Sequence, residues 1–228
     1  MVVDTAGHKF EFSPVRRERF NPSAHAQELK KIKICFLGDS DVGKSSLCTT
    51  LAERNLSALC RHNMNLFTTG SGNSGSSLKT VGVDLCSFLI LKDRPGAGAA
   101  GRGAAAAKMN SAFRTYQVNI WDLGGGPQFD EIRTEFYKES HLVCLVCDAG
   151  SRRSQASLES WYQEVRKSGN EGATVKMCVV VNKSDSTQAN SSTCKEWAKA
   201  KNVPVFEVSA TAGTNVNMLL EYFVQECG

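Results

Sequence analysis

No apolar stretch in these 228 residues is long enough to cross a bilayer as a helix, which takes roughly 20 residues. The first residues carry no basic-then-apolar run of the kind that marks a secretory leader. Val2 follows the initiator Met where N-myristoylation requires glycine, so that anchor is not expected, nor any other strong membrane anchor. Charge of one sign is scarce too. A formal net charge of +4 is too mild to argue for nucleic acid as a partner. The basic clusters Arg16, Arg17, Arg19 and Lys30, Lys31, Lys33 read as solvated arms. The nine cysteines are an odd number, scattered through apparent core segments. That argues against a disulfide scaffold and for a reducing compartment. An intracellular, cytoplasmic location is expected, with nuclear or peripheral membrane association left open. Cys144 and Cys147 form a C-x-x-C inside an apolar run. Residues three apart in a strand face opposite ways, so this pair can neither hold one metal nor close a simple bridge.

The length fits one domain with a small appendage. Residues 1–30 contain Pro14 and Pro22 and no sustained period, so a flexible extension is expected, docked at most by Phe10, Phe12 and Phe20. From residue 31 the pattern alternates. It begins with a strand at Ile32–Leu37, a helix from Ser46 to about Asn55, and strands at Val83–Leu91 and Ala112–Trp121. There follow a helix at Gln128–Lys138, a strand at His141–Asp148, a helix at Gln155–Lys167 and a strand at Val175–Val181. A helix at Ser192–Lys201, a strand at Pro204–Val208 and a helix at Asn215–Gln225 complete the order. Residues 31–228 thus predict one α/β domain, a mostly parallel six-stranded sheet with helices on both faces. Two loop insertions interrupt it, a small polar run near 61–79 and a Gly/Ala run near 93–111 that reads as an enlarged hairpin loop. In such sheets ligands lie beyond the C-terminal ends of the strands.

The motifs fall at those ends. Gly38-Asp39-Ser40-Asp41-Val42-Gly43-Lys44-Ser45 is a G-x-x-x-x-G-K-S between the first strand and a helix that opens with Ser46. Its glycines let successive N–H groups point inward, and the helix N-terminus adds positive potential. Lys44 would reach the β- and γ-phosphates of a nucleotide, and the Ser45 hydroxyl would ligate Mg²⁺. The bland alternative, a glycine turn before a stray lysine, does not account for the flanking strand and helix. Asn182-Lys183-Ser184-Asp185 follows the most apolar strand. Asp185 can accept two hydrogen bonds from guanine that adenine cannot donate, Lys183 can lay its stem on the purine, and Asn182 can tie the loop together. Ser209-Ala210-Thr211 follows the last strand, where the Ala210 N–H is placed to meet guanine O6. Trp121-Asp122-Leu123-Gly124-Gly125-Gly126 ends another strand. Asp122 would hold Mg²⁺ through water, and the Gly125 N–H would meet the γ-phosphate.

Over roughly residues 31–226 these motifs, in this order, resemble the Ras-superfamily small GTPases and most of all the Rab group. The resemblance implies a P-loop NTPase (small G-protein) fold and a monomeric switch holding Mg²⁺ with GTP or GDP. It also implies protein effectors and regulators that act through the switch regions, in signalling or intracellular trafficking. Thr80-Val81-Gly82-Val83-Asp84 resembles the end of the first switch, where Thr80 would join Ser45 and Asp122 as a metal ligand. Asp41, Asn119-Ile120-Trp121-Asp122, Pro127 and Glu135-Phe136-Tyr137-Lys138 resemble the Rab-like subfamily often fused to a J domain. No His-Pro-Asp occurs in these residues, so a chaperone-recruiting function does not carry over. Gly126 stands where the family carries the Gln that orients water, so slow hydrolysis is expected; Gln128 could replace it only by an unusual loop path. Thr211 stands where a lysine is usual. Glu226-Cys227-Gly228 is not a prenylation box, and Cys227 is not expected to carry a lipid. The alternative is a non-hydrolysing, GTP-bound scaffold. Asn182–Asp185 disfavours an ATPase or kinase.

Overall fold

Strand β3 (Leu29–Leu37) is apolar on both faces: Ile32, Ile34 and Phe36 enter one core layer, Cys35 and Leu37 the other. Such a strand must be covered on both sides. The computed structural model describes residues 2–3, 9–10, 29–54, 82–93, 113–137, 139–168 and 175–228. Most of the expected extension and the two insertions, along with Thr80, lies outside them.

The six-stranded sheet has the order β4-β5-β3-β6-β7-β8, with β4 (Val83–Asp93), β5 (Phe113–Leu123), β6 (Leu142–Asp148), β7 (Met177–Asn182) and β8 (Val205–Glu207). Only β4 and β5 pair antiparallel, in an unbroken register from Val83↔Leu123 to Asp93↔Phe113. All other neighbours are parallel. Strand order therefore reverses beside β3, with β5 on one side and β6 on the other. That is the crevice where such sheets take ligands.

Helices α1 (Lys44–Arg54) and α6 (Val216–Cys227) supply Leu47, Leu51, Leu219 and Phe223 to the layer containing Ile34 and Phe36. The opposite layer is closed by α2 (Asp130–Tyr137), α3 (Arg152–Ala156), α4 (Leu158–Ser168) and α5 (Ser192–Lys201), through Tyr137, Trp161, Val165 and Ala198. The C-x-x-C sulfurs do diverge: Cys144 meets Cys178 at 3.4 Å in the first layer, and Cys147 meets Cys194 at 3.5 Å in the second.

The elements depart from sequence expectation at their ends. The helix expected from Gln128 is a 3-10 turn at Pro127–Phe129 followed by α2, because Pro127 opens a tight turn that donates back to Gly126. The helix expected from Gln155 begins earlier and divides in two. Ser151 caps α3 by accepting from the Ser154 amide, and the chain re-enters helix after Ser157. In the extension, β1 (Val2–Val3) pairs antiparallel with β2 (Lys9–Phe10), a strand pair where none was expected. Cys227 is buried against the core, and that burial pushes its thiol up to about 12, so it offers no ready thiolate. Among the described residues, no helix is long and apolar enough to cross a membrane.

Candidate functional site

The loop after β3 leads directly into α1, whose first intrahelical bond runs from Leu47 N to Gly43 O at 2.9 Å. Lys44 is buried and curls back over the loop, its Nζ donating to Gly38 O and Asp39 O at 2.8 Å each. Burial lowers its pKa, and Asp122 and Asp39 oppose that shift. The ammonium is thus fixed inside the turn of the loop, where a phosphate chain would wrap round it. Gly43 has φ +90, and a Cβ there would lie 2.4 Å from the Asn182 amide nitrogen. Only glycine suits both the conformation and the space.

Asn182, 1% exposed, is the side chain that binds three loops into one. Its Nδ2 donates to Val42 O at 3.0 Å and Gly43 O at 3.4 Å, while its Oδ1 accepts from Ala210 N at 3.0 Å. The Ala210 amide, expected to face guanine O6, is therefore engaged with Asn182. Lys183 is left-handed (φ 60) and donates from Nζ to Asp41 O, itself left-handed (φ 66), and to Asp148 Oδ2, both at 2.7 Å. Asp185 and Thr211 are exposed at the rim, whereas Ser209 is buried and accepts from Ala212 N at 2.9 Å.

On the other side of the crevice the Ser45 hydroxyl donates to the buried Asp122 carboxylate. A hydroxyl and a carboxylate oxygen in contact are hard donors of the kind Mg²⁺ takes, so the residues present fit that ion. Gly125 lies flat on the phosphate loop. A Cβ there would come within 2.5 Å of Gly38 O and 2.9 Å of Ser40 N. Gly124 N donates to Gly82 O at 2.8 Å, tying this strand end to the start of β4. Ser40, Ser45 and Ser46 are exposed at the mouth. The site thus assembles Gly38–Ser46, Asp122, Gly125, Gly126, Asn182–Asp185 and Ser209–Thr211 at one end of the sheet; Thr80 lies outside the described residues.

Four residues that brace the site were not anticipated: Ser157, Trp161, Arg133 and Glu164. Asp39 puts a carboxylate in a loop built for anions, and the structure turns it away. Its Oδ1 accepts from Trp161 Nε1 at 2.8 Å and its Oδ2 from Ser157 Oγ at 2.9 Å. Arg133 stacks on the same Trp161, its guanidinium carbon 4.9 Å from the ring centroid. From there it donates to Gly124 O at 3.0 Å and Gly126 O at 2.7 Å, and grips Glu164 at 2.9 and 3.1 Å. The one clue in the sequence is Asp39 itself, since an acidic side chain there demands donors from elsewhere.

A family model described as the Ras family matches residues 99–228, more than half of the chain. That match begins beyond Gly38–Ser45, so the phosphate loop stands on its own geometry. DnaJ homolog subfamily C member 27 from Danio rerio is 28% identical over 199 residues, 85% of this chain and 60% of that protein. The Homo sapiens protein of the same name gives the same figures, and that of Gallus gallus is 28% identical over 204 residues, 87% of this chain and 62% of its own. The chain spans about three fifths of the length of these relatives.

Proposed function

The chain belongs to the Ras family, and on that premise we propose that it is a guanine-nucleotide switch of the Rab-like type, working with Mg²⁺ in signalling or intracellular trafficking. The single observation that carries this reading is Asn182, which joins the base-reading segment to the phosphate loop through Val42 and to the last loop through Ala210. A site so joined suits a ligand whose base and phosphates are held together. Asp185, at its rim, reads guanine N1–H and the 2-amino group. An unpaired polar group left by the wrong base costs about 1–3 kcal/mol.

Lys44 and the loop amides hold the phosphates. Ser45, Asp122 and Thr80 would hold Mg²⁺, which supplies charge neutralisation at the β- and γ-oxygens. Thr80 and Gly125 would order the two flanking loops while the γ-phosphate is present and release them to effectors and regulators on its loss. Residues 31–228 form the nucleotide-binding unit. Hydrolysis is slow, since Gly126 has no side chain of its own to orient water.

Calorimetric titration with GTP, GDP and ATP tests the reading: tight binding of both guanine nucleotides and none of ATP is expected, and equal affinity for ATP would overturn it. Gly126 also favours a second reading, a GTP-bound scaffold that does not hydrolyse. If Ser45→Asn alters partner binding according to the nucleotide loaded, the scaffold reading fails.

A further inference from the structure

Gly126 is extended, with φ −80 and ψ 147, a conformation any residue adopts. Its lack of a side chain is therefore not a backbone requirement. The reason is occupancy. A Cβ built on Gly126 would lie 2.5 Å from Gln128 Oε1, 2.7 Å from Nε2 and 2.8 Å from Cδ. The 3-10 turn at Pro127–Phe129 folds the Gln128 carboxamide back over Gly126. In a glutamine at position 126 the amide carbon would sit two carbon–carbon bonds from its own Cβ, roughly 2.5 Å by ordinary bond geometry. The Gln128 amide carbon stands at a similar distance from that point, reached from two residues further along the chain, with its oxygen and nitrogen turned toward Gly126.

The turn that holds it is anchored where it begins. Gly125 is packed on Gly38 and Ser40, and Gly126 O accepts from Arg133 at 2.7 Å and from Phe129 N at 3.2 Å. We infer that Gln128 presents the carboxamide that orients the attacking water, and that Gly126 is the space this carboxamide needs. The inference rests on the guanine-nucleotide reading above.

In the step concerned, the water oxygen forms a bond to the γ-phosphorus and the bond from that phosphorus to the bridging oxygen breaks. The electron pair leaves with GDP, and the water proton ends on a phosphate oxygen. Gln128 Oε1 accepts one hydrogen of the water and Nε2 donates to an oxygen of the phosphoryl group, and the amide keeps its own protons throughout. Gln128 is exposed on a single turn, so it orients water less firmly than a packed side chain would. Slow hydrolysis and an orienting Gln128 are therefore compatible.

The test uses the full chain, with fluorescent GDP and GTP for affinity, single-turnover hydrolysis for rate, and the tryptophan fluorescence response to GDP plus fluoroaluminate as a readout apart from turnover. Gln128→Ala should keep GDP and GTP affinities within twofold, yet lose about tenfold to a hundredfold in rate and lose the fluoroaluminate response in proportion. Gly126→Ala, which displaces the carboxamide while leaving Gln128 in the chain, should do the same. The double variant Gly126→Gln/Gln128→Ala should recover rate and response together. A Gln128→Ala chain within twofold of the parent on both readouts overturns the inference with the switch reading intact. A parent chain that binds no guanine nucleotide overturns both.

Discussion

Arg133→Met is the substitution that most directly probes how the site is held. Arg133 is 1% exposed and is the largest fully buried side chain among the described residues. Met fills a similar volume and keeps an apolar contact with Trp161, so the loss is polar. Gly124 O, Gly126 O and Glu164 each lose a charged donor, as does Asp130. Burial alone would lower the Arg133 pKa, but hydrogen bonding and charge from Glu164 more than offset it, so the guanidinium is firmly charged. Tyr137 also donates to Glu164, and burial followed by that carboxylate keeps its hydroxyl protonated. Removing one partner of a buried pair costs about 3–5 kcal/mol. Glu164 keeps Tyr137 and is 23% exposed, so water reaches it and the low end, about 3 kcal/mol, applies. For a chain of this size that is a fall of about 6–12 °C in Tm. Thermal unfolding should be followed by tryptophan fluorescence at one fixed, saturating GDP concentration, because bound nucleotide shifts Tm by mass action. Glu164→Gln should couple to it, the double variant costing about 1–3 kcal/mol less than the sum of the singles. Additivity within about 0.5 kcal/mol, or a fall of less than about 2 °C for Arg133→Met, would refute the network.

Asn182→Ala should weaken GTP and GDP alike, by about tenfold to a hundredfold, because buried partners on two loops are left unpaired; unchanged affinity in calorimetry would count against the joined site. Gly125→Ala places a Cβ 2.5 Å from Gly38 O, a backbone atom that cannot step aside. Single-turnover hydrolysis should fall at least about tenfold, the usual cost of a displaced catalytic loop, and a parental rate would show that Gly125 need not touch the phosphate loop. Glu159 accepts from Gln163, Trp197 and Lys201, and these bonds hold its carboxyl down at about 2 against an ordinary 4.5. A lowered carboxylate pKa adds stability that is fully present above the ordinary value and lost as pH falls through the lowered one. The Tm gap between parent and Glu159→Gln should therefore be widest near neutral pH and close between 4.5 and about 2. It should also be small, because the side chain is 45% exposed and the pair is screened. A gap that does not narrow in acid would refute that origin.

The parts of the site that were legible in the sequence are those written in local spacing. Gly38–Ser45 and Asn182–Asp185 each need only a strand before them and a fixed order of residue types. The alternation of strands and helices was legible for the same reason, since apolar β6 and β7 announce cover on both faces. What could not be read depends on partners far apart in the chain or on one exact turn. Trp161 meets Asp39 across 122 positions, and nothing near either residue announces the other. The Gln128 carboxamide reaches Gly126 only because Pro127 starts a 3-10 turn in place of an α-helical one. The early start of α3 follows from a cap at Ser151, whose hydroxyl takes an amide that an apolar period does not reveal.

The β4–β5 pairing sets its own far end well away from the chemistry. Val83↔Leu123 stands at the nucleotide end, and Asp93↔Phe113 is the last pair at the opposite end, ten residue steps away. At the rise of an extended strand that separates them by roughly 33 Å. The chain therefore leaves β4 at Asp93 and enters β5 at Phe113 at the end of the pair remote from the phosphates. A reporter or affinity handle joined at Asp93 or Phe113 would start from that far end of the sheet.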